Sequence, residues 1–296
     1  MTDLDARPML HGPAGGMHLL FDDEQRLGRG LPDEFVAAYG GDWHVPDPTD
    51  GRPYTTINFV VSRDGRISYA EPGDVGGTSI ALGNRADVWL MGLLRARCDA
   101  VLMGDGTVRA EPDHLWTPSH LGDPDAAAFE HLRAVEGRRP IALHVFCSLT
   151  GEIERDWYAV ARDDVDLVIA TTTQGAATAR QRLAGRAGTE VVAFGDDRVD
   201  TAALARWLLA ERDVRALLCE GGPSLYGSLA ADRAIDDEFV TLSPVLVGGE
   251  SSSGRRRPSL VEGVGFAPGR SPLARPVSLR RSGDHLMLRS RIEPVD

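Results

Sequence analysis

Ala100-Val101-Leu102-Met103, running into Gly104-Asp105-Gly106-Thr107-Val108-Arg109-Ala110-Glu111-Pro112, decides the fold together with a second stretch of the same kind. The second is Ala216-Leu217-Leu218-Cys219, running into Glu220-Gly221-Gly222-Pro223-Ser224. In each, an apolar run of strand length meets a glycine turn that opens a helix or a structured loop. Glycines at a strand's end let backbone N–H groups approach a ligand closely, and a helix N-terminus beginning there favours negative charge. Two such corners predict a long phosphorylated ligand lying across Gly104, Gly106, Gly221, Gly222, Pro223 and Ser224.

Outward from these corners the chain alternates. Tyr54 to Val61 is rich in β-branched and aromatic residues and ends at the turn Ser62-Arg63-Asp64-Gly65, so it reads as a strand. A helix follows over Asn84 to Arg97, with Asn84 and Asp87 at its cap and apolar positions at Ala86, Leu90, Leu93 and Leu94. Further strands are predicted near Ile141–Phe146, Leu167–Ala170 and Val191–Phe194. Helices are predicted near Gln174–Leu183, Thr201–Arg212 with Asp200 as N-cap, and Pro223–Ala231 with Pro223 at the first helical position.

This alternation implies an α/β fold with a largely parallel sheet flanked by helices. After Asp237 an extended run, Phe239 to Val247, leads into a Ser/Gly/Arg/Pro loop. Val277–Arg281 and His285–Ile292 then form a hairpin at Ser282-Gly283-Asp284, which makes the sheet mixed at its C-terminal edge. Residues 1–52 read as an N-terminal extension packing on a main domain of residues 53–296. The extension has a helix candidate at Leu31–Tyr39 and an apolar run, Met17 to Phe21, that packing would cover.

Composition restricts the chemistry. The formal net charge of -12 opposes phosphate backbones and anionic lipid surfaces, so neither nucleic acid nor membrane is an expected partner. All 32 basic residues are arginine. Without lysine there is no Schiff base and no P-loop ammonium, so anions must be held by arginine or backbone. Cys98, Cys147 and Cys219 are far apart and read as small buried hydrophobes. With no apolar leader and no membrane-length apolar run, the expected location is cytoplasmic.

Gly104-x-Gly106-x-x-Arg109 lacks the third glycine of a dinucleotide fingerprint, and no acidic residue ends a strand at the ribose-binding spacing, which argues against a Rossmann domain. Asp64 and Glu220 each lie just past a strand end, where open α/β sheets bind ligands, and are the candidate catalytic acids. Glu111, Asp113 and His114 stand close together, but no second histidine lies at a ligating spacing, so no metal is expected. His144 reads as a core residue, and Arg255 to Arg257 as a solvated loop.

The ordered blocks Ser62-Arg63-Asp64-Gly65, Leu94-Arg95-Ala96-Arg97-Cys98-Asp99-Ala100-Val101, Gly104 to Ala110, Glu220 to Leu225, Asp237-Glu238 and Ser243 to Gly249 resemble the riboflavin-pathway pyrimidine reductase family. That family is the reductase half of a bifunctional deaminase/reductase and is related in fold to dihydrofolate reductase. The zinc motif of the deaminase half, His-x-Glu with Pro-Cys-x-x-Cys, is absent. The resemblance implies a dihydrofolate-reductase-like fold, NADPH as cofactor, a small heterocyclic substrate and a homodimer.

Carried over by position, the resemblance puts cofactor contacts at Val60, Thr107, Glu111, Ser148 and Gly222 to Ser228, a stretch that includes Leu225 and Tyr226. Substrate contacts fall at Ser79, Arg95, Leu115 and Glu220. Arginine or the hydroxyls of Thr171 and Thr172 are the expected partners of a 2′-phosphate. A second phosphate-binding arginine would fall near Pro118 and is missing. The implied reaction is hydride transfer to a ribosylamino-pyrimidine, with Asp64, Glu220 or a water as proton donor. A dihydrofolate, pterin or specialised-metabolite imine on the same fold, or a non-catalytic NADPH sensor, stays open as an alternative.

Overall fold

The structure, a computed structural model, describes residues 7–25 and 27–294. The outer ends of the two expected units therefore lie outside the described residues. Ten strands among those residues form one sheet: β1 (His18–Asp22), β2 (Tyr54–Val61), β3 (Ala100–Gly104), β4 (Leu143–Ser148), β5 (Leu167–Thr171), β6 (Thr189–Ala193), β7 (Ala216–Cys219), β8 (Asp237–Leu242), β9 (Leu273–Ser282) and β10 (His285–Glu293). Their order is β1-β9-β10-β8-β2-β7-β3-β4-β5-β6. From β8 to β6 all pairs are parallel, while β8–β10, β10–β9 and β9–β1 are antiparallel.

Helices α1 (Asp33–Tyr39), α2 (Thr78–Ala81), α3 (Arg85–Ala96), α4 (Asp105–Ala110), α5 (Ala126–Val135), α6 (Tyr158–Ala161), α7 (Thr173–Arg182), α8 (Thr201–Arg212) and α9 (Pro223–Ala231) cover both faces. The continuous apolar strands are explained by this burial. Val101 and Met103 pack with Phe35, Trp89 and Phe129 on one face, while Ala100 and Leu102 pack with Leu204, Leu208 and Leu229 on the other. Asn84 caps α3 by accepting from the N–H groups of Ala86 and Asp87 at 2.9 and 3.1 Å. Asp200 caps α8 through the Ala203 N–H at 2.8 Å.

Four expectations are corrected. Asp87 does not sit at the exposed cap; its side chain is buried. The extended run after Asp237 stops at Leu242, because Val247 and Gly248 turn to donate to the Asp64 carboxylate. Arg257 is not solvated: it donates to the carbonyls of Tyr69 and Val247 and pairs with Glu71, stitching its loop to residues 69–71. Met17 is buried, but Leu19, Leu20 and Phe21 stay exposed, since β1 joins the sheet through backbone pairing with β9 at its outer edge. Helix α5 had no counterpart in the sequence reading.

The N-terminal segment is held by side chains of the main domain. Asp125 accepts from the N–H groups of His11 and Gly12, both at 2.8 Å, and from Trp89 Nε1 at 2.8 Å. Arg97, fully buried, donates to the carbonyls of Arg29, Gly30 and Trp43 and pairs with Glu136. No helix among the described residues is long and apolar enough to cross a membrane.

Candidate functional site

Strands β3 and β7 are parallel neighbours with Leu102 opposite Cys219, so both glycine corners leave the sheet at one end. They touch: a Cβ on Gly221 would lie 2.7 Å from Met103 Cα and 2.9 Å from the Gly104 nitrogen. Only glycine permits that approach. Gly222, at φ 70°, precedes Pro223 and starts α9, leaving the N–H groups of Ser224 and Leu225 facing outward from the first turn. Gly106 opens onto free space, and Thr107 Oγ1 stands 3.8 Å from where a Gly222 Cβ would lie. The turn after β2 and the ends of β4 and β5 lie along the same rim, because those strands are parallel to β3 and β7.

Glu220 does not stand alone on this rim. Arg95 Nε donates to both its carboxylate oxygens at 2.9 and 3.1 Å, and Nη2 donates to Oε2 at 2.6 Å. Nη1 donates to the Thr117 carbonyl at 3.2 Å. The two side chains are 3% and 5% exposed. The guanidinium expected to offer a fork to a substrate phosphate is therefore committed to Glu220 and sealed from solvent. What it does here is fix the carboxylate's orientation.

Asp64 is likewise engaged. It accepts from the N–H groups of Val247 and Gly248 at 2.9 and 2.7 Å and from Ser62 Oγ at 2.7 Å. The backbone donor at Val247 comes first among the causes that hold its carboxyl down at about 2, so it is ionised at neutral pH and a poor proton donor. Glu111, at the end of α4, is pushed upward by burial, with Arg95 opposing and Glu220 adding to the rise. Burial and Arg95 hold the neighbouring His114 at about 3, which keeps it neutral. Among the described residues no cluster of His, Cys, Asp and Glu has metal-site geometry.

The other predicted residues divide into rim and core. Ser148 donates to Asp105 at 2.8 Å, which ties the end of β4 to the start of α4. Ser79 is exposed on α2, Val60 is half-buried near the end of β2, and Ser224 is exposed at the start of α9. Leu115, Leu225 and Tyr226 are core side chains. The Tyr226 hydroxyl donates to Glu238, so this turn meets a ligand through its backbone and the exposed Ser224. Thr171 is fully buried under the start of α7, where a Cβ on Gly175 would lie 2.2 Å from its hydroxyl. Thr172 caps α7 by accepting from the Gly175 N–H at 3.0 Å and donates to the Leu149 carbonyl at 2.8 Å. Neither hydroxyl is presented to a 2′-phosphate.

A cavity of about 450 Å³ borders Leu115, Thr117, His120, Arg138, Tyr158 and Arg162. It also reaches Pro140 and Ile141, ahead of β4, and so extends away from the glycine rim. Of the predicted residues only Leu115 lines it.

The sequence reading missed three buried polar side chains: Asn58, one residue beyond the pairing of Ile57 with Cys219, Asp87, within electrostatic reach of Glu220, and Thr241, which faces Asp87. The available signal was Asp87 itself: an acid three and seven residues before Leu90 and Leu94 lies on the apolar stripe of its helix.

Residues 53–287 match the RibD C-terminal domain. The chain belongs to that family. Among curated RibD-type relatives, the 2,5-diamino-6-ribosylamino-4(3H)-pyrimidinone 5′-phosphate reductase of Archaeoglobus fulgidus is 27% identical over 73% of this chain and 89% of its own. Two solved structures share the fold. One, a pyrimidine reductase-like protein from Corynebacterium diphtheriae, has a TM-score of 0.63 at 18% identity, over 81% of this chain and 92% of its own. The other is the RibD-type deaminase/5-amino-6-(5-phosphoribosylamino)uracil reductase of Thermotoga maritima, with a TM-score of 0.57 at 18% identity. The match covers 81% of this chain but only 57% of the Thermotoga one. The fold is thus the dihydrofolate-reductase-like one that the resemblance implied.

Proposed function

We propose that the chain is an oxidoreductase that uses NADPH to reduce a ribosylamino-pyrimidine, the class of compound for which its RibD relatives are named. The observation that carries this reading is the meeting of Gly104, Gly221 and Glu220 at one end of the sheet. The first turn of α9 offers N–H donors to a pyrophosphate, and the open space over Gly106 leaves room beside Thr107 and Ser148 for the rest of a dinucleotide. When bound, the reduced nicotinamide supplies a hydride.

The residues of the chain bind and orient. Glu220, held by Arg95, presents a fixed carboxylate to the heterocycle, while Asp64 pins residues 247–248 as a wall of the site and keeps no proton to give. The proton is therefore taken from water. The homodimer belongs to the same proposal and rests on the resemblance alone.

One observation favours a second reading of the substrate's tail. With Arg95 locked to Glu220 and Pro118 where a second arginine would fall, the phosphate clamp of the resemblance is missing. A dephosphorylated ribosylamino-pyrimidine, or a pterin, then becomes a competitor.

The test is calorimetric titration with NADPH, followed by NADPH absorbance with the phosphorylated pyrimidine, its dephosphorylated form and dihydrofolate. Binding and turnover of a pyrimidine support the proposal. Absence of NADPH binding refutes it, and binding without turnover leaves a sensor.

A further inference from the structure

Within electrostatic reach of Glu220 lies a second carboxylate, to which the resemblance assigns no role. Asp87 sits in the first turn of α3 and points inward, only 4% exposed. It faces the Thr241 hydroxyl on β8 and lies within electrostatic reach of Glu220. One residue beyond Ile57 and Cys219, the last paired residues of β2 and β7, come Asn58 and Glu220, side by side on the face that α3 covers. Asn58 is in turn opposite Phe239, two residues before Thr241.

One of these groups lacks a partner: Asn58, 7% exposed, has none for its Oδ1 among the described residues, while the Thr241 hydroxyl, 0% exposed, has only the Asp87 carboxylate before it. Buried polar atoms without partners cost free energy, and at a site they mark where a ligand completes the network. Burial pushes the Asp87 carboxyl up to about 6, the Thr241 hydroxyl pulling the other way and the Glu220 charge adding to the rise. At neutral pH it is an anion that demands donors.

We propose that Asp87 reads the edge of the pyrimidine ring, its carboxylate accepting from the N3–H and 2-amino groups of a 2-amino-4-oxopyrimidine. This rests on the reductase reading above and deepens it. A carboxylate accepts two hydrogen bonds in parallel and donates none. A diaminopyrimidinone presents two adjacent donors on that edge and is matched. An aminouracil presents a 2-oxo group in place of the amine, so an acceptor is set against the anion. Asp87 therefore selects between the two substrates for which relatives of this chain are named. An asparagine there offers one donor and one acceptor, which suits the uracil edge.

The experiment compares wild-type protein and Asp87→Asn, with dihydrofolate as the other carrier of the same edge. kcat/KM with NADPH is measured on the diaminopyrimidinone, the aminouracil and dihydrofolate, and calorimetry on the same compounds gives affinities independent of turnover. The wild type is expected to favour the diaminopyrimidinone over the aminouracil about 10- to 100-fold, the range for charge-assisted hydrogen bonds to a desolvated group. Asp87→Asn is expected to bring the ratio to about one or invert it.

If dihydrofolate is the preferred compound and loses that preference in the variant, the edge assignment stands and the substrate is a pterin. A ratio that the substitution does not move, in a variant whose melting temperature is no lower than wild type, overturns the inference. If no compound turns over but the wild type binds the diaminopyrimidinone and Asp87→Asn does not, the inference stands while the reductase reading falls. If the wild type binds none of the three, both fall.

Discussion

Replacing Arg95 by methionine separates two roles for this residue. In the structure its guanidinium spends Nε and Nη2 on Glu220, at 2.6 to 3.1 Å, and Nη1 on the Thr117 carbonyl, with both partners nearly sealed from solvent. Methionine keeps much of the stem's volume but strands the Glu220 carboxylate and the Thr117 carbonyl. Breaking a buried pair by removing one member costs about 3–5 kcal/mol, because an uncompensated charge stays behind. For a chain of this size, roughly 2 °C per kcal/mol converts that to a fall of about 6–10 °C in melting temperature.

Urea denaturation and calorimetric melting at neutral pH measure the loss. The double variant with Glu220→Gln recovers part of it, since the stranded charge is gone, and the cycle gives a coupling energy of up to about 3 kcal/mol. A loss below about 1 kcal/mol, the value for an exposed pair, would refute the buried-pair reasoning. So would a defect confined to KM for phosphorylated substrates, which would return Arg95 to the phosphate.

Two other expectations are open to direct measurement. Gly106→Ala meets open space and should keep or gain up to about 1 kcal/mol of stability while weakening NADPH several-fold; Gly221→Ala drives a methyl into the Met103 backbone and should destabilise, so equal melting temperatures for the two would contradict the geometry. Asp87, raised from 3.8 to about 6 in the fold, favours folding most below pH 4, and that contribution is lost as pH rises through 6, so Asp87→Asn should match wild type in stability at pH 4 and exceed it by about 1–3 kcal/mol at pH 7.5. A pH-independent difference in denaturation midpoints between the two would show that the burial of its charge is not what the substitution relieves.

Much of the fold was legible along the chain because its signals are local. The strand Tyr54–Val61, the helices Thr201–Arg212 and Pro223–Ala231, the Asp200 cap and the C-terminal hairpin follow from side-chain periodicity and turn chemistry within a few residues. The failures were of another kind. Phe239 to Val247 has strand composition throughout, yet Asp64, remote in sequence, takes the N–H groups of Val247 and Gly248. Met17 to Phe21 has the apolarity of a buried segment, yet a strand at the sheet's outer edge pairs through its backbone and leaves Leu19 and Leu20 in solvent.

For the site, the chain alone determined which residues stand at the ends of strands, and hence that Gly104, Glu220 and Gly221 lie at corners able to meet a ligand. It also determined, through its uniform use of arginine, that no lysine amine takes part. Only the tertiary structure decided that β7 inserts between β2 and β3, which brings the two corners into contact and sets Glu220 against Arg95, 125 residues away in sequence. Strand order is a long-range choice made by the burial of whole faces, and local propensity carries no record of it. The same packing turns Asp87 inward toward Thr241, so a residue that reads as a helix cap becomes a buried acid within electrostatic reach of Glu220.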